Sequence, residues 1–356
     1  MERTVYRIID ANFNRAREAI RVIEDFCRFA VNSSHLTERA KQIRHKLSAS
    51  IDKLGIEQLI AARNTTEDVG IGQKVDEQLH RTNLNDCLTA ACKRLTEALR
   101  VLAETIQTFN PSMAQAIENL RYAAYTLEKD IVLFSGPAEK FRQVKLYVII
   151  SSDLPVDVIS LTGRCAAGGA DCIQLRAKNT EDDKLFALAC EFVRICRAAG
   201  VLSIINDRVD IAIAAGADGV HLGQNDLPTN QTRKLQLTPL IIGKSTHSPK
   251  QLHLACQENP AYVSLGPVFA TETKPTVEPV GLDYVRQAGR ILVNTGIRGV
   301  AIGGITAANV EDVLKAGASA IAVCSAVTKT SDPLAACLEL KNKILAFNEN
   351  RDVSSS

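Results

Sequence analysis

Hydrophobic positions recur at helical spacing over roughly the first 135 residues of the chain, with few strand signals among them. Ala19, Val22, Ile23 and Phe26, for example, fall on one face of a helix wound at about 3.6 residues per turn. The pattern predicts an all-α helical domain over residues 1–135, built as a bundle around its own apolar core.

A short motif occurs twice within this helical region. Arg15-x-x-Glu18-Ala19-x-Arg21-Val22 recurs 79 positions later as Arg94-x-x-Glu97-Ala98-x-Arg100-Val101. We interpret the pair as an internal duplication that produces two related helical hairpins, joined by the polar stretch at residues 63–70.

The pattern changes after Ser135-Gly136-Pro137, where turn residues follow the last helical run and predict a domain boundary. Short runs rich in Val, Ile and Leu then alternate with helical patterns such as those at residues 182–199, 249–258, 307–316 and 333–347. The runs predict strands at residues 145–151, 171–176, 202–207, 219–223, 240–245, 262–267, 299–304 and 320–325.

Eight such alternations predict a parallel (β/α)8 TIM barrel over residues 136–347. A doubly wound open sheet is the structural alternative, but no Gly-x-Gly-x-x-Gly follows the first strand. The polar end of the chain, residues 348–356, predicts a flexible tail. The expected fold is therefore an α/β barrel preceded by an all-α domain.

Composition narrows the classes of partner. Apolar residues make up 46% of the chain and charged residues 23%, which is typical of a soluble globular protein, and no stretch approaches the roughly 20 apolar residues of a membrane span. Lys and Arg number 42 against 40 Asp and Glu, so no global field favours nucleic acid. We expect small-molecule ligands; the sequence leaves the oligomeric state open, a homo-oligomer included.

The cysteines and the N-terminus both indicate a reducing compartment. The first residues contain no apolar run of the kind a signal peptide needs, so a cytoplasmic location is expected. The ten cysteines never form a Cys-x-x-Cys pair, and most lie in apolar helix or strand patterns. We interpret them as reduced core thiols in preference to a zinc site or a disulfide framework.

Candidate chemistry collects where the predicted strands end, which is where a barrel of this kind builds its site. The second strand ends at Gln174, Arg176 and Lys178, which alternation points the same way, so that two cations face one space. Paired cations suit an oxyanion. Taken alone, they could equally be solvated loop residues.

The third and fourth strands each deliver a carboxylate to the same rim. Asp207 follows Asn206 at the end of the third strand, and Asp226 follows the fourth. Either aspartate could be a helix N-cap. Beside Arg176 and Lys178, however, the pair suggests Mg2+, because this ion is held by one or two carboxylates together with substrate phosphate oxygens.

The remaining strand ends carry hydroxyls, a lysine and glycines suited to phosphate. Ser245 ends the fifth strand, and a polar loop follows the sixth; the glycine pair after the seventh permits close backbone approach to a ligand near a helix N-terminus. Thr-rich loops and glycine turns are common without any ligand. The candidates in these loops are Thr271, Thr273, Lys274, Gly303, Gly304, Cys324 and Ser325.

Taken together and in order, these motifs resemble the thiamine-phosphate synthase family over about residues 145–345. The matching motifs are Gln174-x-Arg176-x-Lys178, Asn206-Asp207, His221-x-Gly223-Gln224-x-Asp226, Ser245-x-His247, Gly266-Pro267 with Thr271-x-Thr273-Lys274, and Ile302-Gly303-Gly304-Ile305. Many relatives have Glu at position 177, where this chain has Ala; alternation should point that side chain away from the site.

The resemblance implies a role for each matched residue and a cofactor, Mg2+, bound by Asp207 and Asp226. The residues implied to bind hydroxymethylpyrimidine diphosphate are Gln174, Arg176, Lys178, Asn206, Ser245 and Lys274, with Arg176, Lys178 and Lys274 acting in catalysis. The residues implied to hold the thiazole phosphate are Thr271, Thr273, Gly304, Cys324 and Ser325.

The implied reaction is a transfer in which Mg2+ assists ionisation of the pyrimidine diphosphate, and the thiazole nitrogen then attacks the carbocation. It requires no protein nucleophile, in agreement with a rim that shows no Ser-His-Asp or Cys-His pattern. A thiazole tautomerase of the same fold and a non-catalytic phosphate-ligand sensor are the alternatives. The paired cations and aspartates argue against the tautomerase, which has no diphosphate to neutralise.

The helical domain resembles an extension found on some bacterial synthases, for which an action on hydroxymethylpyrimidine or its monophosphate has been suggested. Its residues show no Gly-x-x-x-x-Gly-Lys-Ser/Thr loop, and charges such as Arg17 and Glu24 are also explained as helix-surface pairs. We therefore favour a structural or interaction role for this domain.

Overall fold

The computed structural model of the chain describes residues 2–66, 68–70, 81–152, 157–235, 239–271, 277–293 and 295–354. The chain divides into two compact units, Met1–Val132 and Leu133–Ser356. Each unit has its own buried residues.

The first unit is helical, as predicted. Its helices are α1 (Arg3–Asp25), α2 (Ser34–Ile51), α3 (Ile56–Ala61), α4 (Leu84–Gln107) and the first part of α5 (Pro111–Arg142), with a π-helical turn at Phe26–Ala30 and a 3-10 turn at Asp52–Leu54. Side-chain caps begin three of them: Ser33 accepts a hydrogen bond from the Leu36 amide, Asn83 accepts one from the Asp86 amide, and Asn110 accepts one from the Met113 amide.

The two copies of the repeated motif lie on α1 and α4, which pack against each other. Ala19 in the first copy and Ala98 in the second are both buried, and the neighbouring Ala16 and Ala91 are fully buried. Such small side chains let two helix backbones approach closely. The repetition therefore marks two corresponding helices of one bundle.

The second unit is a closed parallel barrel in the order β1-β2-β3-β4-β5-β6-β7-β8, which confirms the predicted fold. Its strands are β1 (Leu146–Ser151), β2 (Cys172–Arg176), β3 (Leu202–Asn206), β4 (Gly219–Leu222), β5 (Ile241–Thr246), β6 (Tyr262–Leu265), β7 (Arg298–Ile302) and β8 (Ala320–Val323). All eight predicted strands are present, and none is displaced by more than two residues at either end.

Helices lie between the strands and after the last one. They are α6 (Val158–Ala167), α7 (Asp182–Ala199), α8 (Val209–Ala214), α9 (Thr229–Leu235), α10 (Pro249–Glu258), α11 (Gly281–Leu292), α12 (Val310–Lys315), α13 (Ser325–Thr328) and α14 (Pro333–Ser354). No helix of the described residues is long and apolar enough to cross a membrane.

Strand alternation separates two cores in the barrel. Ile173 and Leu175 face outward into the large core under the helices, and Ala177 packs against that core as predicted. Cys172 faces inward into a smaller core that also contains Tyr147 and Tyr262 and closes the lower part of the barrel. The inward positions above this small core are free to form a site.

Two predictions about the ends of the barrel domain differ from the structure. The turn predicted at Ser135-Gly136-Pro137 is wrong, because Pro137 lies inside the continuous helix α5. Burial of Ala138 and Phe141 outweighs the local breaking tendency of glycine and proline. Residues 348–354, predicted as the start of a flexible tail, continue helix α14 as far as Ser354.

All ten cysteines are free, and six of them are buried. Burial raises the pKa of Cys27 and of Cys92 to about 12, so both stay protonated thiols at neutral pH. The six buried cysteines thus behave as small apolar side chains, in agreement with the interpretation from their spacing.

Candidate active site

A cavity of about 510 Å³ opens at the carboxyl ends of the barrel strands. Such a volume accommodates a small molecule, and its position is the one that parallel barrels use for their sites. The predicted site residues that line it are Gln174, Arg176, Lys178, Asn206, Asp207, Asp226, Ser245, Thr271, Gly304, Cys324 and Ser325. Thr273 and Lys274 lie outside the described residues.

One side of the cavity carries the two predicted cations. Arg176 Nη1 lies 3.2 Å from Ser151 Oγ, which holds the guanidinium at the end of β2. Lys178 Nζ lies 3.6 Å from Asp207 Oδ2, and about half of the lysine side chain is exposed. Both cations therefore face the cavity mouth, as the alternation of residues 174, 176 and 178 predicted.

Asp207 faces Asp226 across the mouth. Burial raises the pKa of Asp207, the neighbouring Asp226 carboxylate raises it further, and Lys178 only partly opposes the two effects. Two carboxylates so placed repel each other until a cation comes between them. The described residues contain no group of three or more His, Cys, Asp or Glu side chains suited to a metal, so any ion here would have to draw further ligands from elsewhere.

Neither aspartate caps a helix, so the N-cap alternative is wrong. The N-cap of α8 is Arg208, and it makes no side-chain capping bond. Asp207 instead has a left-handed backbone with φ +63°, a conformation that is uncommon for residues other than glycine. Asp226 Oδ2 accepts a hydrogen bond of 2.6 Å from the Gly223 amide, within the loop after β4.

The loop that carries Asp226 is held from below by a buried lysine. Lys244 is 6% exposed and points out of the barrel interior, opposite to Ser245. Its Nζ donates to the Gly223 carbonyl at 2.9 Å, and the amide of the same glycine donates to Asp226. Lys244 thus fixes the backbone that positions the Asp226 carboxylate. No sequence signal marks Lys244 for this role, because strand alternation points its side chain away from the cavity.

The lower wall of the cavity contains a set of polar side chains that sequence reasoning did not assign. Tyr147 and Tyr262 are buried inward residues whose hydroxyls lie 2.8 Å apart. His221 Nδ1 lies 3.0 Å from the Tyr262 hydroxyl. Strand alternation places all three inward, but the prediction considered only the ends of strands, whereas these residues lie within β1, β4 and β6.

This wall includes a Ser-His pair, although none was expected. His221 Nε2 lies 3.0 Å from Ser245 Oγ, while Nδ1 contacts the Tyr262 phenol where a catalytic triad would place a carboxylate. No negative group therefore stabilises an imidazolium at this contact.

The glycine pair after β7 lies directly against the loop after β6. Gly303 and Gly304 both have positive φ, +101° and +65°. A Cβ on Gly304 would lie 2.6 Å from the Ala270 carbonyl oxygen and 2.7 Å from Phe269 Cβ. The Phe269 amide donates to the Gly303 carbonyl at 3.0 Å. The glycines therefore set the position of the segment that leads into Thr271.

Two family models match the chain. The thiamine monophosphate synthase model matches residues 146–327, and the ThiD2 family model matches residues 7–130. The first match covers the barrel strands and the second covers most of the helical unit.

Full-length relatives share both parts. A thiamine-phosphate synthase from Synechocystis sp. is 37% identical over 344 residues, which is 97% of this chain and 97% of that protein. A thiamine-phosphate synthase from Thermosynechococcus vestitus is 36% identical over 341 residues, covering 95% of this chain and 94% of its own. Among solved structures, a thiamine phosphate pyrophosphorylase from Pyrococcus furiosus is 32% identical, covers 59% of this chain and 98% of its own, and has a TM-score of 0.54.

Proposed function

The chain belongs to the thiamine-phosphate synthase family, and from that premise we propose how its cavity divides between two substrates and a metal ion. The enzyme is a transferase that joins 4-amino-5-hydroxymethyl-2-methylpyrimidine diphosphate to 4-methyl-5-(2-hydroxyethyl)thiazole phosphate, giving thiamine phosphate and diphosphate. Both substrates are small anions, and the cations at the cavity mouth suit them.

The facing pair Asp207 and Asp226 is the observation that carries the proposal of Mg2+. Magnesium is usually held by one or two carboxylates and completes its octahedron with water and substrate phosphate oxygens. A site of two carboxylates without a third His, Cys, Asp or Glu side chain among the described residues fits that pattern. When bound, the ion would neutralise charge on the departing diphosphate.

The cavity residues fall into two proposed groups. The pyrimidine diphosphate would contact the side formed by β2, β3 and β5, through Gln174, Arg176, Lys178, Asn206 and Ser245, together with Lys274. The thiazole phosphate would contact the loops after β6, β7 and β8, through Thr271, Gly304, Cys324 and Ser325, together with Thr273. The division follows the order of strands around the barrel.

The chemical step needs charge stabilisation and alignment. The bond between the pyrimidine methylene carbon and the diphosphate oxygen breaks, and diphosphate leaves with the electron pair. The thiazole nitrogen then donates its lone pair to that carbon and forms the new C–N bond. Arg176 and Lys178 stabilise the charge that develops on the diphosphate, while the walls of the cavity align the two rings and exclude water.

Replacing Asp207 or Asp226 by Asn tests the metal proposal. Each single variant should lose roughly 10²-fold in turnover, and the double variant should lose less than the product, because both residues serve one ion. Raising Mg2+ should partly rescue each single variant. Asp210, an exposed aspartate paired with Arg208 outside the cavity lining, provides the control variant Asp210→Asn, which should keep wild-type turnover.

Metal-free stability gives a second readout of the same variants. Because the pKa of Asp207 is raised in the folded protein, the protonated carboxyl stabilises the fold below the ordinary carboxyl pKa. This stabilisation is lost as the pH rises through the raised pKa of Asp207. Metal-free Asp207→Asn should therefore melt above wild type at neutral pH, and asparagine tolerates the left-handed backbone. The proposal would be contradicted if the losses of turnover in the two single variants were additive and independent of Mg2+ concentration, and if the melting temperature were lowered.

A further inference from the structure

Six side chains form a continuous hydrogen-bonded chain across the inside of the barrel. Gln174 connects Asn206 to Tyr147, with Nε2 lying 2.6 Å from Asn206 Oδ1 and Oε1 lying 2.7 Å from the Tyr147 hydroxyl. The chain continues through Tyr262 and His221 to Ser245, in steps of 2.8, 3.0 and 3.0 Å. All members but Asn206 are at most 9% exposed. Both ends, Asn206 and Ser245, line the cavity.

The orientation of the Gln174 amide sets the direction of this chain, since its Oε1 accepts from Tyr147 and its Nε2 donates to Asn206. Burial raises the pKa of both tyrosines well above the ordinary value, so each phenol keeps its single proton. Tyr147 gives its proton to Gln174 Oε1, so the proton between the two phenols must come from Tyr262. The Tyr262 oxygen is then an acceptor, and His221 has to donate to it from Nδ1.

The same direction settles what the two ends offer to a ligand. With its one hydrogen on Nδ1, the His221 ring accepts at Nε2, so the Ser245 hydroxyl proton points to His221. Ser245 therefore presents an acceptor to the cavity. At the other end, Asn206 Oδ1 accepts from Gln174, which leaves the Asn206 amide N–H groups as donors. Reversing the Gln174 amide would reverse every one of these hydrogens.

We infer that Tyr262, together with Tyr147 and His221, is a positioning residue that makes Asn206 a donor and Ser245 an acceptor toward the substrate. The inference rests on the proposed function and deepens it. The pyrimidine diphosphate has matching groups, since its diphosphate oxygens accept hydrogen bonds and its ring amine donates them. The diphosphate would therefore bind toward Asn206, and the amine toward Ser245.

The fold provides a fitted position for the central phenol. Phe141, from the end of α5, stacks on the Tyr262 ring at 4.1 Å between centroids with only 5° between the planes. Gly243 on β5 leaves room for the phenol, because a Cβ there would lie 2.1 Å from Tyr262 Cζ. Tyr262 is thus packed on two sides, and small shifts of its hydroxyl are resisted.

Nitrogen-15 NMR of the histidine side chains tests the direction in the unmodified protein. The chain has six histidines, and the His221 signals can be assigned by their loss in His221→Asn. We expect His221 to carry hydrogen on Nδ1 and none on Nε2. Hydrogen on Nε2 would overturn the assignment, because His221 would then donate to Ser245 Oγ and the Ser245 hydroxyl would be a donor toward the cavity.

Steady-state kinetics of Tyr262→Phe tests the positioning role. The variant keeps the ring but removes the hydroxyl, so kcat/KM for the pyrimidine diphosphate should fall roughly tenfold or more. The KM for thiazole phosphate should change by less than about twofold, and the Mg2+ dependence should be unchanged. His221 should also lose its preference for the Nδ1 tautomer, which a merely structural role would not cause.

Tyr284 supplies the matched control. It is a buried tyrosine outside the cavity lining whose hydroxyl donates to Thr246 Oγ1 at 2.8 Å. Tyr284→Phe should lower only the melting temperature. If Tyr262→Phe behaves the same way, with normal turnover, the inference fails even though the metal proposal stands.

Tyr147→Phe keeps the test decisive if Tyr262→Phe does not fold. It interrupts the same chain between Gln174 and Tyr262. It should reproduce the kinetic defect, and unchanged kcat/KM in this variant would likewise overturn the inference. Because none of these variants alters Asp207 or Asp226, failure of the metal proposal would appear separately, as a wild-type enzyme indifferent to Mg2+.

Discussion

At the scale of single residues, the candidate site is supported by side chains that do not line the cavity. Lys244 is the clearest case, since its ammonium group lies beneath the loop after β4 and donates to the Gly223 carbonyl. The Gly223 amide in turn holds Asp226. Groups that orient a metal ligand from outside its immediate contacts commonly affect affinity or activity by roughly 10–100-fold.

Lys244→Met should therefore weaken the enzyme through the proposed Mg2+ site. Methionine keeps much of the length of the side chain but cannot donate to Gly223, so Asp226 loses part of its support. We expect roughly tenfold lower turnover at limiting Mg2+, with recovery at high Mg2+. A Mg2+ titration of activity measures this.

Lys343 is the matched control, because its Nζ also donates to a backbone carbonyl, that of Ala307 at 3.0 Å, away from the cavity lining. Lys343→Met should leave the Mg2+ titration unchanged. Equal defects in both variants, insensitive to Mg2+, would show that Lys244 contributes only to stability.

At the scale of elements, the strands provide fixed positions and the loops after them provide the chemistry. Loops of neighbouring strands support each other: the Val268 amide donates to the Ile302 carbonyl, and the Phe269 amide donates to the Gly303 carbonyl. The loop after β6 thus takes its path from the loop after β7. A displacement of one loop should therefore displace the other.

Gly304→Ala should act through this contact between loops. The new Cβ would collide with Ala270 and Phe269, and the positive φ adds strain, so the segment before Thr271 must move. The expected result is a KM for thiazole phosphate raised roughly tenfold, with little change in KM for the pyrimidine diphosphate. Two-substrate kinetics separates the two constants.

Gly317→Ala distinguishes backbone strain from displacement of the loop. Gly317 also has positive φ, +100°, but a Cβ there meets nothing within 4 Å, and it does not line the cavity. It should lower the melting temperature and leave both KM values alone. A similar rise in KM in both variants would show that strain at a distance, and not the loop contact, controls the proposed thiazole subsite.

At the scale of the whole molecule, one helix belongs to both parts of the chain. Helix α5 runs from Pro111 to Arg142, across the division between the units at residues 132 and 133. Its last turn brings Phe141 against Tyr262, directly beneath the polar chain that we propose to position the substrate. Whether the barrel unit can couple the substrates without the helical unit therefore depends on where α5 is cut.

A fragment beginning at Leu133 should keep coupling activity, because it retains Phe141 and every cavity residue. A fragment beginning at Gln143 should lose most of it. Loss of a buried Phe side chain typically costs about 3–5 kcal/mol and would leave Tyr262 unsupported. Coupling assays on both fragments, after folding is checked by circular dichroism, decide this.

The full-length variant Phe141→Ala is the control for the cut itself. It should share the kinetic defect of the shorter fragment while keeping the helical unit. If the fragment from Leu133 folds but does not couple the substrates, the proposed division of labour is wrong, and the helical unit takes part in the reaction.

The sequence by itself determined the barrel and its rim. Strand and helix periodicities are local properties, so the eight strands, the repeated helices and the inward alternation of residues 174, 176 and 178 were all predictable. Since parallel strands place their carboxyl ends together, the cations and aspartates at those ends were expected to meet.

Only the tertiary structure decided how residues distant in sequence combine. Tyr147 and Tyr262 are 115 positions apart, and their hydroxyls meet because the barrel closes. The helical state of Pro137 depends on burial of its neighbours, which outweighs local propensity. The repulsion between Asp207 and Asp226, and the direction of the hydrogen bonds that end at Ser245, arise from distance and burial, which no local pattern specifies.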